Sequence, residues 1–215
     1  MSHLVIDLQK NALDNSVNIS DLLKKAFVVA KKLKIKEFEK WINDEMNGYI
    51  DIDNVPKYRY VFGKLKAFDP YRGWIPSYIK DNEFERKVRS KKMTSSINKL
   101  EYLINDDESN IVMTFNGEVN SIFVEMFEFE TEYALFIDKG QVKNILEAVR
   151  MIILNWALEL EADGVLGEKM IFTKEEKEIA TYKNYTVNNF YGNFEKSQIQ
   201  QNTDNSNITI DKEGD

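Results

Sequence analysis

The chain has 215 residues, of which 43% are hydrophobic and 30% are charged, a composition typical of a globular domain rather than of a disordered chain. It contains no cysteine and one histidine, which excludes disulfides, thiolate metal sites and histidine-based catalytic triads. The net charge of −7 disfavours the binding of bulk nucleic acid. Since the sequence lacks a signal-peptide pattern and an apolar run of roughly 20 residues, we expect a cytoplasmic protein that does not enter the membrane.

The amino-terminal part of the chain predicts two helices after a frayed start that contains His3. Apolar residues recur at helical spacing over Ser20–Leu33, and Ser20 is the predicted N-cap. The same spacing returns over Phe38–Met46, and Gly48 follows where a left-handed C-cap residue belongs. We expect the two helices to pack antiparallel and to cover a further element.

That further element is a predicted strand over Lys57–Phe68, because β-forming residues dominate there and Val61, Leu65 and Ala67 fall on one face. The other face alternates aromatic and basic side chains, which are Tyr58, Tyr60, Phe62, Lys64 and Lys66. Two interpretations remain open for this face. It is either the half-covered side of a sheet or a platform for a ligand.

Predicted strands and helices alternate in the middle of the chain. Residues Gly73–Ile79 are predicted to be extended, and Lys87–Ile104 is predicted to form a third helix. A short helix over Glu118–Phe127 is expected between two buried strands, Ile111–Phe115 and Tyr133–Ile137.

The most regular pattern is a long helix over Val142–Leu160 that ends near Gly164. The prediction is therefore an α+β domain over residues 1–165, in which helices pack on a small sheet. Residues 166–180 form a charged connector that is partly helical, and residues 181–215 are rich in Asn, Gln, Ser and Thr.

The Asn/Gln-rich tail has two interpretations: a solvated segment, or a β-type module of short strands through which copies of the chain associate into a homo-oligomer. The second interpretation depends on isolated apolar residues within the polar sequence. These residues are Val187, Phe190, Phe194, Ile199 and Ile208.

Residues 20–67 resemble the AbiTii domain of bacterial abortive-infection proteins. The shared order is a leucine-rich helix, a second helix that ends in an Asn-Gly-Tyr element, and a strand opened by Pro-x-Tyr-Arg. The residues that carry the resemblance are Asn47, Gly48, Tyr49, Pro56, Tyr58 and Arg59. With Trp74–Ile79 and the closing helix, the resemblance covers about residues 4–162 and implies a role in phage defence, without catalytic residues to carry over. More weakly, the tail is similar to Asn/Gln-rich self-assembly segments of bacterial immune proteins.

One local run of basic residues offers a candidate binding site for the phosphates of nucleic acid or of a nucleotide. It consists of Arg86, Lys87, Arg89, Lys91 and Lys92. The alternative is a solvated helix face, because Asp81, Glu83 and Glu85 lie just upstream and oppose its field.

The carboxylates Asp44, Asp51 and Asp53 are the candidates for a metal site, since oxygen ligands suit Mg²⁺; the alternative is a polar loop between helix and strand. The sequence contains no glycine-rich phosphate loop.

These observations favour a non-enzymatic antiphage protein of the abortive-infection type. We expect it to recognise a phage or host component, to self-associate through its tail and to need no cofactor. Two alternatives remain: a metal-dependent nuclease toxin built on the three aspartates, and a nucleotide-sensing module built on the basic run.

Overall fold

The computed structural model describes residues 3–106, 108–183, 185–187 and 190, and these form an α+β fold. The helices are α1 (Leu4–Leu13), α2 (Ile19–Leu33), α3 (Lys36–Asn47), α4 (Asn82–Arg89), α5 (Ile97–Ile104), α6 (Gly117–Phe127), α7 (Lys139–Ala162) and α8 (Lys174–Lys183). The strands are β1 (Tyr60–Phe62), β2 (Lys64–Asp69), β3 (Gly73–Pro76), β4 (Ser90–Lys92), β5 (Asn110–Thr114) and β6 (Tyr133–Asp138). Short 3₁₀ turns lie at Ile52–Asn54 and Lys57–Arg59.

The chain divides into two compact units. Unit 1 comprises the described residues of Met1–Asn43 and Ala148–Asp215, and unit 2 comprises Asp44–Glu147. The boundaries fall within α3 and α7, so each of these helices contributes residues to both units.

Unit 1 is helical and has an aromatic centre. The ring of Phe38 stacks on Trp156 with 4.3 Å between the ring centres, and both side chains are fully buried. Arg150 holds the loop between α1 and α2, because its guanidinium donates hydrogen bonds to the carbonyl oxygens of Ala12, Asp14 and Val17 at 2.8–3.2 Å.

The prediction of a frayed amino terminus was wrong, because α1 occupies this region with Val5 and Leu8 buried. Its first N–H groups are satisfied from a distant segment, where the carbonyls of Leu166 and Gly167 accept hydrogen bonds at 3.0 and 2.9 Å. His3 occupies the N-cap position of α1, but its side chain makes no capping hydrogen bond within the described residues. The sequence therefore carries no capping signal for the start of this helix.

The N-cap of α2 was also misplaced by the sequence pattern. The helix begins at Ile19, and the cap position is occupied by Asn18 instead of Ser20.

Unit 2 contains a four-stranded antiparallel sheet in the order β3-β2-β6-β5 and a two-stranded sheet of β1 and β4. Helices α4 and α6 pack on one face of the larger sheet and close a hydrophobic core. That core contains Leu65, Ala67, Ile79, Phe123, Tyr133 and Leu135, with Phe84, Val88, Val119 and Phe127 against it.

The predicted strand over residues 57–68 is divided into two strands at Gly63, and residues 57–59 form a 3₁₀ turn. β1 pairs with β4, whereas β2 pairs with β3 and β6. Gly63 allows a close approach at the division, because a Cβ there would lie 3.0 Å from the Cβ of Leu135. The predicted inward-facing residues are buried, as expected; these are Val61, Leu65 and Ala67.

The predicted helix over Lys87–Ile104 was wrong. Its first residues belong to α4, residues Ser90–Lys92 form β4, and α5 begins only at Ile97. Pairing with β1 holds Ser90–Lys92 in extended conformation, and Ser96 caps α5 by accepting the N–H of Lys99. The apolar spacing fits a helix, but pairing with a distant strand overrides it.

Other predicted elements were confirmed, namely the helices α3, α6 and α7 and the strands β3 and β6. Gly48 follows α3 with φ of +92°, the left-handed conformation expected of a C-cap residue. β5 exists as predicted but is only partly buried, because it is an edge strand of the sheet. Within the described ranges, no helix combines the length and apolar character needed to cross a membrane.

Candidate functional site

The most deeply buried charges of unit 2 are Glu45 at the end of α3 and Arg59 in the second 3₁₀ turn, and both side chains are 0% exposed. Two parallel hydrogen bonds join them, from Arg59 Nε to Glu45 Oε1 at 3.0 Å and from Nη2 to Oε2 at 2.5 Å. Arg59 Nη1 also donates to the carbonyl oxygens of Met93 and Ser95 at 2.7 and 2.8 Å. This bidentate geometry is the one that best offsets the desolvation of two ions.

Two tyrosines complete this arrangement, which we call the Glu45 cluster: Glu45, Tyr49, Tyr58 and Arg59. Both hydroxyls donate to Glu45 Oε1 at 2.6 Å, and the guanidinium of Arg59 lies 4.9 Å from the ring centre of Tyr49. Burial and the adjacent charge of Glu45 raise the pKa of Tyr49 well above its usual value. For Arg59, burial acts to lower the pKa, but the charge of Glu45 outweighs it and the pKa is raised. Arg59 therefore keeps its charge and Tyr49 keeps its phenolic proton at neutral pH.

The Glu45 cluster joins α3 to residues 93–95. Tyr49 N–H donates to the carbonyl oxygen of Thr94 at 2.8 Å, and a Cβ at Gly48 would lie 2.8 Å from the same oxygen. Most residues that carry the family resemblance therefore lie in or beside the cluster, where they stabilise the fold.

Sequence reasoning missed the pairing of Glu45 with Arg59, although both residues left a signal. Glu45 recurs among the apolar positions of α3, and Arg59 shares the alternation of the inward-facing Val61 and Leu65. A charged residue at an inward position needs a buried partner of opposite charge.

The five residues of the basic run lie on two elements instead of one helix. Lys87 pairs with Glu83 at 2.7 Å on α4. Arg89 pairs with Glu85 at 3.1 Å and donates to the carbonyl oxygen of Gly63 at 2.8 Å.

The two lysines on β4 contact neighbouring groups as well. Lys92 donates to the carbonyl oxygen of Ile52 at 3.0 Å, and its Nζ lies 5.4 Å from the ring centre of Tyr60. Lys91 Nζ lies 5.5 Å from the ring centre of Phe115, while Arg86 on α4 is exposed. Lys87, Arg89 and Lys92 are thus already paired with oxygen atoms of unit 2.

Asp51 and Asp53, two of the three candidate aspartates, make contacts that hold the loop after α3. Asp51 caps a 3₁₀ turn by accepting the N–H of Asp53 at 3.0 Å and the side-chain amide of Asn54 at 2.8 Å. The carboxylate of Asp53 lies 3.8 Å from Lys92 Nζ. Over the part of the chain that the structure describes, no three Asp, Glu or His side chains gather to hold a metal ion. The structure does not bring Asp44, Asp51 and Asp53 together as a metal centre.

Two of the predicted self-association residues lie in unit 1. Phe190 is buried with its ring centre 5.8 Å from that of Phe38, and the N–H of the buried Val187 donates to Glu37 Oε1 at 2.9 Å. The other three, Phe194, Ile199 and Ile208, lie outside the described residues.

Hydrogen bonds also hold the segment that leads to these residues. Tyr185 donates its hydroxyl hydrogen to Asp163 Oδ2 at 2.6 Å, and Lys183 Nζ donates to Asp163 Oδ1 at 2.7 Å. The hydrogen bonds from Lys183 and Tyr185 lower the pKa of Asp163.

The fold and the Glu45 cluster define an α+β domain that is held together by internal polar contacts. The chain belongs to the AbiTii family, whose model matches residues 3–185. The match includes α8 and so extends beyond the region over which the motifs resemble the family. Membership in this family points to abortive-infection defence against phage. No curated protein and no solved structure matches the chain significantly.

Proposed function

We propose that the chain is a non-enzymatic phage-defence protein that recognises a phage or host component and self-associates through residues 181–215. It acts in the cytoplasm as a homo-oligomer and needs no cofactor. Association would raise the local concentration of the domain, so that weak contacts with the recognised component become avid.

One observation carries the assignment of self-association to the tail. The family match ends at residue 185, whereas the Asn/Gln-rich sequence continues to residue 215. Thirty residues of this composition follow the family domain, and such sequences favour contacts between copies.

The contacts of the polar groups support a non-enzymatic role. Glu45 and Arg59 are enclosed and hydrogen-bonded to each other. A general base or a nucleophile has to reach a substrate, and these two buried side chains are occupied in holding the fold.

We assign different tasks to the five apolar residues of the tail. Val187 and Phe190 fasten the beginning of the segment to unit 1 through Glu37 and Phe38. Phe194, Ile199 and Ile208 are then the residues that contact other copies.

Light scattering on a truncated chain tests this assignment. Removal of residues 191–215 keeps the buried Tyr185, Val187 and Phe190 in place, so unit 1 should retain its stability. We expect the intact chain to have a mass that is a multiple of 25.2 kDa and the truncated chain to be a monomer.

A pair of matched variants separates apolar contact from tail length. Phe194→Ser, Ile199→Ser and Ile208→Ser together should give a monomer, whereas Gln200→Ser, Gln201→Ser and Asn202→Ser together should preserve the oligomer. An intact chain that is monomeric, or an oligomer that survives the truncation, would contradict self-association through the tail.

The non-enzymatic part of the proposal has its own test. The purified chain is incubated with RNA and DNA in the presence of Mg²⁺, next to the variant Asp51→Ala, Asp53→Ala. We expect no degradation by either protein. Degradation by the intact chain that is lost in the variant would establish the metal-dependent nuclease instead.

A further inference from the structure

A row of aromatic and basic side chains lies along β1 and β2, exposed except for the half-buried Lys66. It consists of Tyr60, Phe62, Lys64, Lys66 and Phe68, and we call it the aromatic strip. Its three rings are 38%, 50% and 40% exposed. Single exposed apolar residues are common on protein surfaces, whereas grouped ones are typical of binding surfaces.

The strip is continuous across the break between the two strands. A Cβ at Gly63 would meet the side chain of Leu135, which packs with Leu65 in the core, so Gly63 faces the core like its neighbours Val61 and Leu65. The residues of the strip therefore share the opposite face. Eight residue steps of about 3.3 Å give the strip a length of about 26 Å.

Side chains from neighbouring strands widen the strip. Lys66 Nζ lies 4.2 Å from the ring centre of Phe136 on β6. The ring of Trp74 on β3 is 5.3 Å from Phe136 and 5.4 Å from Phe68. The face therefore places the ammonium group of Lys66 among aromatic rings.

The backbone of β1 is already paired at Phe62. The side-chain amide of Gln141 accepts the N–H of Phe62 and donates to its carbonyl oxygen, both at 2.8 Å, while β4 pairs on the other side. Addition of a strand from a protein partner is thus blocked at this position. A ligand at this face meets side chains instead of backbone.

We propose that the aromatic strip binds single-stranded nucleic acid. Bases would stack on the rings of Phe62 and Phe68, and the phosphates would contact the ammonium groups of Lys64 and Lys66. A single strand can present both groups along 26 Å, roughly the span of a few nucleotides, whereas a duplex keeps the faces of its bases hidden. Glu130 and Glu132 border a recess beside Phe68, so the phosphates approach at the lysines and not at that end.

This proposal rests on the recognition part of the proposed function, since it names the component that is recognised, but it does not depend on the tail. The overall charge of −7 repels long nucleic acids, which confines attraction to the strip. Binding should therefore be limited to short single-stranded segments.

Fluorescence anisotropy with the full chain tests the proposal, using labelled oligo(dT) and oligo(rU) of about ten nucleotides and a duplex of equal length. We expect both single strands to bind more tightly than the duplex. Phe62→Ala together with Phe68→Ala should weaken binding at least about tenfold, because loss of stacking on one ring alone is of that order. Lys64→Gln together with Lys66→Gln should reduce the slope of log affinity against log salt by about 1.4, since each phosphate contact on a single strand contributes about 0.7.

Matched variants elsewhere in unit 2 serve as controls. Tyr71 and Tyr102 are 97% and 75% exposed, so Tyr71→Ala with Tyr102→Ala removes two exposed rings outside the strip. Arg86→Gln with Lys87→Gln removes two charges from the basic run. We expect both control variants to bind like the intact chain, and urea unfolding verifies that every variant is folded.

Three results would overturn the proposal: no binding of either single strand by the intact chain, equal binding of the duplex, or equal losses in the strip and control variants. None of them bears on the mass of the oligomer. Failure of this proposal is therefore distinguishable from failure of self-association, which light scattering decides.

Discussion

The Glu45 cluster and the aromatic strip adjoin each other in the chain at residues 59 and 60, yet they use charge in opposite ways. Arg59 is 0% exposed, and four of its donor contacts go to carboxylate or carbonyl oxygens within unit 2. Lys64 is exposed, and Lys66 lies against the ring of Phe136. A charge that is enclosed and satisfied stabilises the fold, whereas an exposed ammonium group such as that of Lys64 is accessible to a ligand.

The largest expected effect comes from removing the charge of Glu45. Glu45→Gln leaves Arg59 buried with an incomplete partner, so we expect the free energy of unfolding to fall by about 3–5 kcal/mol. Urea denaturation monitored by circular dichroism measures this change.

The control replaces both ions at once. Glu45→Gln with Arg59→Met should be less destabilised than Glu45→Gln alone, because no buried cation is left uncompensated. A loss below about 1 kcal/mol in the single variant would contradict the structural role of the cluster.

Next in size is Gly48→Ala, beside the cluster. Gly48 has φ of +92°, and a Cβ would lie 2.8 Å from the carbonyl oxygen of Thr94. We expect a loss of about 2 kcal/mol in unfolding free energy from the strained backbone.

Gly117 provides the matched glycine, because no described atom lies within 4 Å of a Cβ built there. Gly117→Ala should leave stability nearly unchanged. Equal effects of the two substitutions in thermal denaturation would show that Gly48 is not a required glycine.

A smaller and pH-dependent effect is expected in unit 1, where Glu176 accepts the N–H groups of Thr173, Leu166 and Gly167 at 2.7, 2.8 and 2.9 Å. Burial acts to raise the pKa of Glu176, but these hydrogen bonds prevail and lower it below the ordinary 4.5. Because the folded pKa is depressed, the stabilisation is present above about pH 4.5 and is lost as the pH falls through the folded pKa.

Glu176→Gln should therefore lower the unfolding free energy by about 1–2 kcal/mol at neutral pH. The difference from the intact chain should shrink in acid. Urea titrations across this pH range, with Glu175→Gln as the exposed neighbour, measure it. A difference that stays constant with pH would contradict the role of the carboxylate charge.

The smallest effect is expected on the basic run. The side chains of Lys87 and Glu83 are 71% and 80% exposed, so their ion pair is screened by solvent. Lys87→Gln should change stability by less than about 0.5 kcal/mol in the same denaturation experiment. If Lys87→Gln lowered the unfolding free energy as much as Glu45→Gln does, buried and exposed charges would not differ in their contribution to stability.

Apolar periodicity correctly predicted those helices and strands whose buried face is visible in their own residues. Helices α2, α3 and α7 each have one sustained apolar face, and β6 is a continuous apolar run. The predicted helix over Lys87–Ile104 failed because β4 exists only through its pairing with β1, a partner about 30 residues away in the chain.

The two sites also differ in how much the sequence reveals. The alternation of aromatic and basic residues over 60–66 is visible in the sequence. The sequence does not show which face of these strands is covered, because that depends on where α4 and α6 pack. The Glu45 cluster includes hydrogen bonds from Arg59 to the carbonyl oxygens of Met93 and Ser95, more than 30 residues further along the chain. No local sequence pattern predicts such contacts.

The most direct test measures both the unfolding free energy and the oligonucleotide affinity of two double variants, one in the aromatic strip and one in the Glu45 cluster. Phe62→Ala with Phe68→Ala should unfold within about 1–2 kcal/mol of the intact chain, because both rings are half-exposed, and should bind single strands at least about tenfold more weakly. Glu45→Gln with Arg59→Met should lose stability while its folded fraction binds normally. If the strip variant bound like the intact chain, or if each variant lost affinity only in proportion to its lost stability, the separation between a region that folds and a region that binds would be contradicted.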